Sequence, residues 1–295
     1  MTLIKNITQR LTIASVKGYL NTLATLSPEK GGEKAFKVFS KPRKGRLSPS
    51  NREFLNTATW ETLEFQQFKI QTYLWKPEPK IENTISGNFV EKPQTILLAH
   101  GWESNSARWK PLIAKLQQAG HTIIALDAPA HGATSGKLFV PIEYAACINA
   151  VIEHFQPSML IGHSVGGYAS AYCLAHFIPP SVKSLILLAT PSNLNQIFDA
   201  FLDFLKLSAK MRLAFYAYIE TTYGKTAEAF ALEHFADKIQ AKGLIIHDEN
   251  DELIHHKDAF TIEKAWKNTD VAITKGLGHR LRHDKIYKMI LDFIK

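Results

Sequence analysis

The 295-residue chain predicts an α/β fold, a mainly parallel central sheet with helices on both faces, and three observations carry that prediction. From about residue 95 short apolar runs alternate with segments of helical period, the pattern of β-α units. The pentapeptide Gly162-His163-Ser164-Val165-Gly166 lies between one such run and one such helix. About 50 residues, 191–240, read as helical throughout and interrupt the alternation between two successive strands.

Taken in order, residues 3–23 place Leu3, Ile4, Ile7, Leu11, Ala14 and Leu20 at helical spacings, which predicts a helix with one apolar face. That face packs on its own domain or on a second copy. Lys5, Arg10 and Lys17 make an interfacial membrane helix the alternative. Residues 41–51, Lys-Pro-Arg-Lys-Gly-Arg then Leu-Ser-Pro-Ser-Asn, hold so many breakers that a basic loop is expected. Alternation over Leu63 to Trp75 predicts an edge hairpin. Strands are expected at Thr95 to Ala99, Thr122 to Leu126, Met159 to Gly162, Ser184 to Ala189, Leu244 to His247 and Val271 to Thr274. Helices are expected at Pro141 to Phe155, Val165 to Phe177, Lys257 to Lys267 and Asp284 to Ile294. The organisation that follows is a basic helical arm and loop over 1–61 and an α/β domain over 62–295, with a helical lid inserted at about 191–240. Nine of the 50 residues in that insertion are aromatic, so they form either the wall of an apolar pocket or the insertion's own core.

Composition excludes several classes. Hydrophobic residues at 45% and charged ones at 21% are ordinary for a globular protein. The apolar runs fall short of the roughly 18 residues that cross a bilayer, and the N-terminus lacks a secretory apolar core, so a cytoplasmic protein is expected. Cys147 and Cys173 fit neither a C-x-x-C nor a zinc spacing and read as inert buried thiols. The net charge of +8 is localised: residues 1–52 hold 11 Lys/Arg against two acids, +9, while the remaining 24 and 25 give −1. No aromatic platform or nucleic-acid module accompanies the basic arm, so no nucleic-acid partner is expected, and membrane contact through the arm is the secondary reading.

The chemistry centres on Ser164. A serine between two glycines at a strand-to-helix turn is held on a tight backbone with its hydroxyl presented outward, and the helix that follows aims N–H groups where negative charge develops in acyl transfer. Serine needs a base, and Gly276-Leu277-Gly278-His279 follows the last expected strand. His283 is the less suitable rival. The acid belongs in the loop after the preceding strand, where Asp251 is chosen over Asp248, a strand-end cap, and Glu249, a solvated charge. The backbone N–H of Val165 and that of Trp102, beside Gly101, are the candidate oxyanion donors. Gly224-Lys225-Thr226 lacks the glycine a phosphate loop needs, and His255-His256 lacks a ligand set, so no metal or other cofactor is expected.

On His100-Gly101-Trp102, Asp127-Ala-Pro-Ala-His131-Gly132 with Ser135, Gly162-His-Ser164-Val-Gly166, Asp251 and His279, the chain from about residue 62 resembles the α/β-hydrolase superfamily, in its lidded esterase and lipase-like branch. The resemblance implies an α/β-hydrolase fold with a helical lid, a Ser164–His279–Asp251 triad, a structural role for Asp127 and His131, and a small-molecule ester as substrate. The serine argues against the aspartate-nucleophile branches. A thioesterase, an amidase or a carbon–carbon hydrolase would use the same triad, and a non-catalytic interaction protein on the same fold is the alternative of another class. Residues 1–61 resemble N-terminal extensions within the family, and no role carries over to them.

Overall fold

The computed structural model describes residues 2–77 and 93–295, with side chains from residue 13 onward. The expected apolar positions Leu3, Ile4, Ile7 and Leu11 therefore lie outside the described side chains. The chain divides into two compact units, residues 42–192 with 232–295, and residues 1–41 with 193–231.

The larger unit is built on an eight-stranded sheet of order β1-β2-β4-β3-β5-β6-β7-β8. Strands β1 (Thr59–Phe65) and β2 (Phe68–Trp75) form the expected antiparallel edge hairpin. From β4 across, the strands run parallel: β3 (Thr95–Ala99), β4 (Thr122–Leu126), β5 (Met159–His163), β6 (Ser184–Leu188), β7 (Lys242–Asp248) and β8 (Thr269–Thr274). Parallel strands covered on both faces bury every side chain, so β3 to β6 read as unbroken apolar runs, not alternations. Ile96, Leu98, Ile123, Ile161, Ile186 and Ile246 share one core with α4 (Lys110–Gln118) and α10 (Asp284–Ile294). On the opposite face, α6 (Val165–Phe177) packs against β5, β6 and α5 (Pro141–Phe155). Helix α9 (Lys257–Ala265) completes the set against β7 and β8.

Residues 41–51 are not all loop. Helix α3 (Pro49–Leu55) begins there because Ser48 accepts from the Asn51 N–H at 3.2 Å and Pro49 occupies the first turn, where its missing N–H costs nothing. The Ser-Pro pair starts a helix, the reverse of the break expected of it. One of the preceding basic residues serves this unit internally: the Arg46 guanidinium donates to the carbonyls of Gly132 and Thr134 at 3.3 and 3.1 Å. Both cysteines are buried and free, and burial pushes the Cys147 thiol up to about 12.

The smaller unit joins the two ends of the expected organisation, the N-terminal arm and the insertion. Helices α1 (Thr2–Leu26) and α2 (Pro28–Ser40) pack with α8 (Ala209–Tyr223), and α7 (Asn195–Phe204) lies beside it. Gly32 permits the closest approach, since a Cβ there would fall 2.0 Å from the Ala214 carbonyl oxygen. Phe36 and Phe39 of α2 meet Phe198, Phe201 and Phe215 at ring separations of 5.1 to 6.1 Å. These insertion aromatics thus form a core with the arm. Gly224, of the phosphate-loop lookalike, is the left-handed cap of α8, with φ +68°. Among the described residues no helix is long and apolar enough to cross a membrane.

Candidate active site

The site lies at the C-terminal ends of the parallel strands, where loops from four strands converge. Ser164 occupies the turn between β5 and α6 with φ +54° and ψ −128°, a conformation a non-glycine residue holds only when its surroundings enforce it. The enforcing contacts are backbone approaches. A Cβ on Gly162 would stand 2.5 Å from the Gly167 Cα, and one on Gly166 would stand 2.3 Å from the His100 carbonyl oxygen. The glycines let β5, α6 and the end of β3 close on the serine, and the Ser164 N–H is spent on the Leu188 carbonyl at 2.8 Å.

His279 reaches this serine from the loop between β8 and α10. Its Nε2 stands 3.1 Å from Ser164 Oγ and its Nδ1 2.8 Å from Asp251 Oδ2. The Asp251 side chain is fully buried, and its other oxygen accepts from the Leu253 and Ile254 N–H groups at 2.9 Å each. Burial alone would raise this carboxyl, but the hydrogen bonds from His247, His279 and the Ile254 N–H outweigh it and hold the group well below the usual carboxylate range. An aspartate so held stays ionised and keeps the Nδ1–H tautomer of His279, leaving Nε2 as the acceptor that faces the hydroxyl.

The rival residues have other work. Asp248 accepts from the Thr274 hydroxyl at 2.7 Å and from the Asn250 and Gly278 N–H groups at 3.0 Å, so it caps β7 and pins the loop one residue before His279. Burial would raise its carboxyl, but these donors hold it below its ordinary value. Glu249 is paired only with Lys275, at 3.4 Å among the ion pairs of the described residues. His283 caps α10 by accepting from the Lys285 N–H. His255 and His256 stack on each other with ring centres 4.5 Å apart.

Trp102 follows Gly101 in the loop after β3, and a Cβ on Gly101 would lie 2.9 Å from the Ser164 Cβ, so this loop touches the Ser164 turn. The peptides on either side of Trp102 are held by two buried histidines. His100 accepts from the Ala128 N–H through Nε2 and donates through Nδ1 to the Gly101 carbonyl at 2.7 Å. His131 accepts from the Glu103 N–H at 2.9 Å and donates through Nδ1 to the Pro129 carbonyl. Burial pushes His100 down to about 4 and His131 down to about 3, so both are neutral at pH 7 and keep one donor and one acceptor each. Asp127 is buried, its carboxylate taken by Tyr73, Ser106 and the Ala133 N–H. Val165 opens α6, where the first N–H groups have no partner within the helix.

Three residues near the site were given no role by sequence reasoning, although one of them, His163, stands within the pentapeptide around Ser164. His247, at the end of β7, is buried and places its Nε2 3.1 Å from Asp251 Oδ2 and 3.0 Å from the Ile254 carbonyl, so that oxygen receives two imidazole N–H groups. His163, directly before Ser164, points its Nε2 at the His279 carbonyl at 2.9 Å. Arg108 donates to the Arg280 carbonyl at 3.1 Å. The one signal available was the presence of a histidine in an apolar strand, twice.

The family described as alpha/beta hydrolase fold matches residues 94–244, half of the chain. A pimeloyl-(acyl-carrier protein) methyl ester esterase of Pseudoalteromonas atlantica is 28% identical over 153 residues, 51% of this chain and 56% of that protein. Putative esterase/lipase 3 of Mycoplasma pneumoniae is 33% identical over 104 residues, 35% of this chain and 38% of that one. The chain thus spans little more than half the length, or less, of these curated relatives. Among solved structures, a thioesterase domain from the curacin biosynthetic pathway superposes with a TM-score of 0.56 at 18% identity, covering 81% of this chain and 99% of that one, a likeness of fold. With the family match over half its length and the sheet in place, the chain belongs to the α/β-hydrolase superfamily.

Proposed function

We propose that the protein is a serine hydrolase that cleaves a carboxylic ester of a small or medium apolar molecule through an acyl-enzyme. The observation that carries the reading is the continuous hydrogen-bond chain from Ser164 Oγ through His279 to Asp251, with contacts of 3.1 and 2.8 Å. The two curated relatives whose names specify an esterase favour an ester over the other bonds such a triad cleaves.

In this reading Ser164 Oγ attacks the ester carbonyl carbon while its proton passes to His279 Nε2. The carbonyl oxygen, now an oxyanion, is received by the Val165 and Trp102 N–H groups. As the tetrahedral species collapses, His279 returns the proton to the leaving alkoxide and the alcohol departs. Water then attacks the acyl-serine, giving its proton to His279, and the second collapse releases the acid and restores the Ser164 hydroxyl. Asp251 stays ionised and stabilises the imidazolium formed in each half-reaction. The helical insertion is assigned as the lid by its place in the chain, leaving the sheet at the C-terminal end of β6, the edge that carries the site.

Labelling by a fluorophosphonate probe tests this reading. Wild type is expected to label and to hydrolyse p-nitrophenyl esters, with the acyl-chain series sizing the pocket, while Ser164→Ala does neither and keeps its fold. Folded wild type that fails to label and to turn over any ester overturns it in favour of a non-catalytic binding role.

A further inference from the structure

Arg108 is 8% exposed, and among the described residues no carboxylate lies within ion-pair distance of it. Its guanidinium lies 4.4 Å from the centre of the Trp109 ring, and Nη2 donates to the Arg280 carbonyl. Burial pushes the group down to about 9, and the like charge of Arg282 adds to the effect. A buried charge without a counter-ion destabilises a fold, and an apolar side chain of equal size in its place is often neutral or stabilising. The position therefore conflicts with stability, and such conflicts concentrate where a chain has a job to do.

The job is visible in what the bond joins. Arg108 lies in the short 3-10 turn Ser106–Trp109 that ends the loop carrying Trp102. Arg280 directly follows His279. The carbonyl of His279 itself accepts from His163, the residue before the nucleophile. Asp248 holds the Gly278 N–H on the other side. Three consecutive residues, 278 to 280, are thus gripped by side chains from three separate elements, and Arg108 supplies the grip from the oxyanion-donor loop.

We propose that Arg108 is a positioning residue: by binding the Arg280 carbonyl it holds the loop of the general base in register with the loop of the oxyanion donor. The inference rests on the assignment of His279 and Trp102 in the proposed function. A bond to a carbonyl one residue from the imidazole fixes where Nε2 stands over Ser164. A displacement of about 1 Å there costs on the order of a hundredfold in rate.

Arg108→Met keeps the volume and removes the donor, and Arg108→Lys restores a donor. Arg108→Met is expected to lower kcat for a short p-nitrophenyl ester ten- to a hundredfold, with KM within twofold and fluorophosphonate labelling slowed by the same factor. Its thermal midpoint should equal or exceed that of wild type, and Arg108→Lys should recover part of the rate. The low-field proton resonance of the His279 Nδ1–H, read without substrate, should broaden or vanish in Arg108→Met and return in Arg108→Lys. A Met variant with wild-type kcat and an intact resonance overturns the proposal, as does loss of rate in step with a fall in thermal midpoint, or loss confined to KM. Wild type that neither labels nor turns over an ester would instead remove the hydrolase reading, and the resonance would still decide whether Arg108 places the imidazole.

Discussion

The Ser164 turn and the His279 loop stand side by side in the site and are held by different physics. The turn is held by exclusion: Gly162 and Gly166 are required because a single added carbon would fall on backbone atoms 2.5 and 2.3 Å away. The histidine loop is held by attraction, through Asp248 on Gly278, His163 on His279 and Arg108 on Arg280. Its glycines are there for conformation, since Gly276 has φ +84° with no atom near an added Cβ. Close-packed backbone tolerates no substitution, whereas a hydrogen-bonded loop loses its bonds one at a time. The two halves of the proposed catalytic pair should therefore fail differently.

The widest gap is between Gly166→Ala and Gly276→Ala. The first is expected to cost about 3 kcal/mol or more, because the backbone of β3 cannot yield, and to abolish labelling. The second should cost roughly 1 kcal/mol, the left-handed conformation alone, and leave most of the labelling. Thermal unfolding and probe labelling of the two variants measure this, and equal losses would erase the distinction.

Within the acid loop, Asp251→Asn should lower kcat by roughly 10⁴, because an amide no longer fixes the imidazole tautomer. Asp248→Asn should lose far less, on the order of tenfold, because it holds backbone and touches no reacting group. Kinetics that place the larger loss at position 248 would reassign the acid.

A further expected effect is on stability as a function of pH, away from the two loops. His100 and His131 have folded values of about 4 and about 3, below the unfolded value of 6.5, so the unfolded chain binds protons first on acidification. Their contribution is complete above about pH 6.5 and is lost as pH falls toward 4 and then 3, at ~1.4 kcal/mol per pH unit per histidine. The thermal midpoint should fall across that window, with a smaller slope in His131→Asn. An unchanged slope in the variant would show that His131 titrates normally in the folded chain.

Much of the core was legible because it rests on local signals. Buried parallel strands are apolar runs, and Thr95 to Ala99 and Thr122 to Leu126 were placed to the residue. Helix α3 was not, because Ser48-Pro49 reads as a break unless the proline is recognised in a first turn. The arm and the insertion looked like separate segments, for nothing local in Phe36 and Phe39 states that their partners are Phe198, Phe201 and Phe215.

What the sequence by itself determined is the parallel sheet, the strand-to-helix turn at Ser164 and the chain order in which Ser164, Asp251 and His279 occur, because each follows from short-range rules of period, sterics and loop chemistry. Only the tertiary structure decided that Asp251 carries a second imidazole from His247, that Asp248 serves the loop and not the ring, and that Arg108 meets Arg280 across 172 positions of chain. A buried polar group must find a partner wherever the fold supplies one, and the identity of that partner is a property of packing.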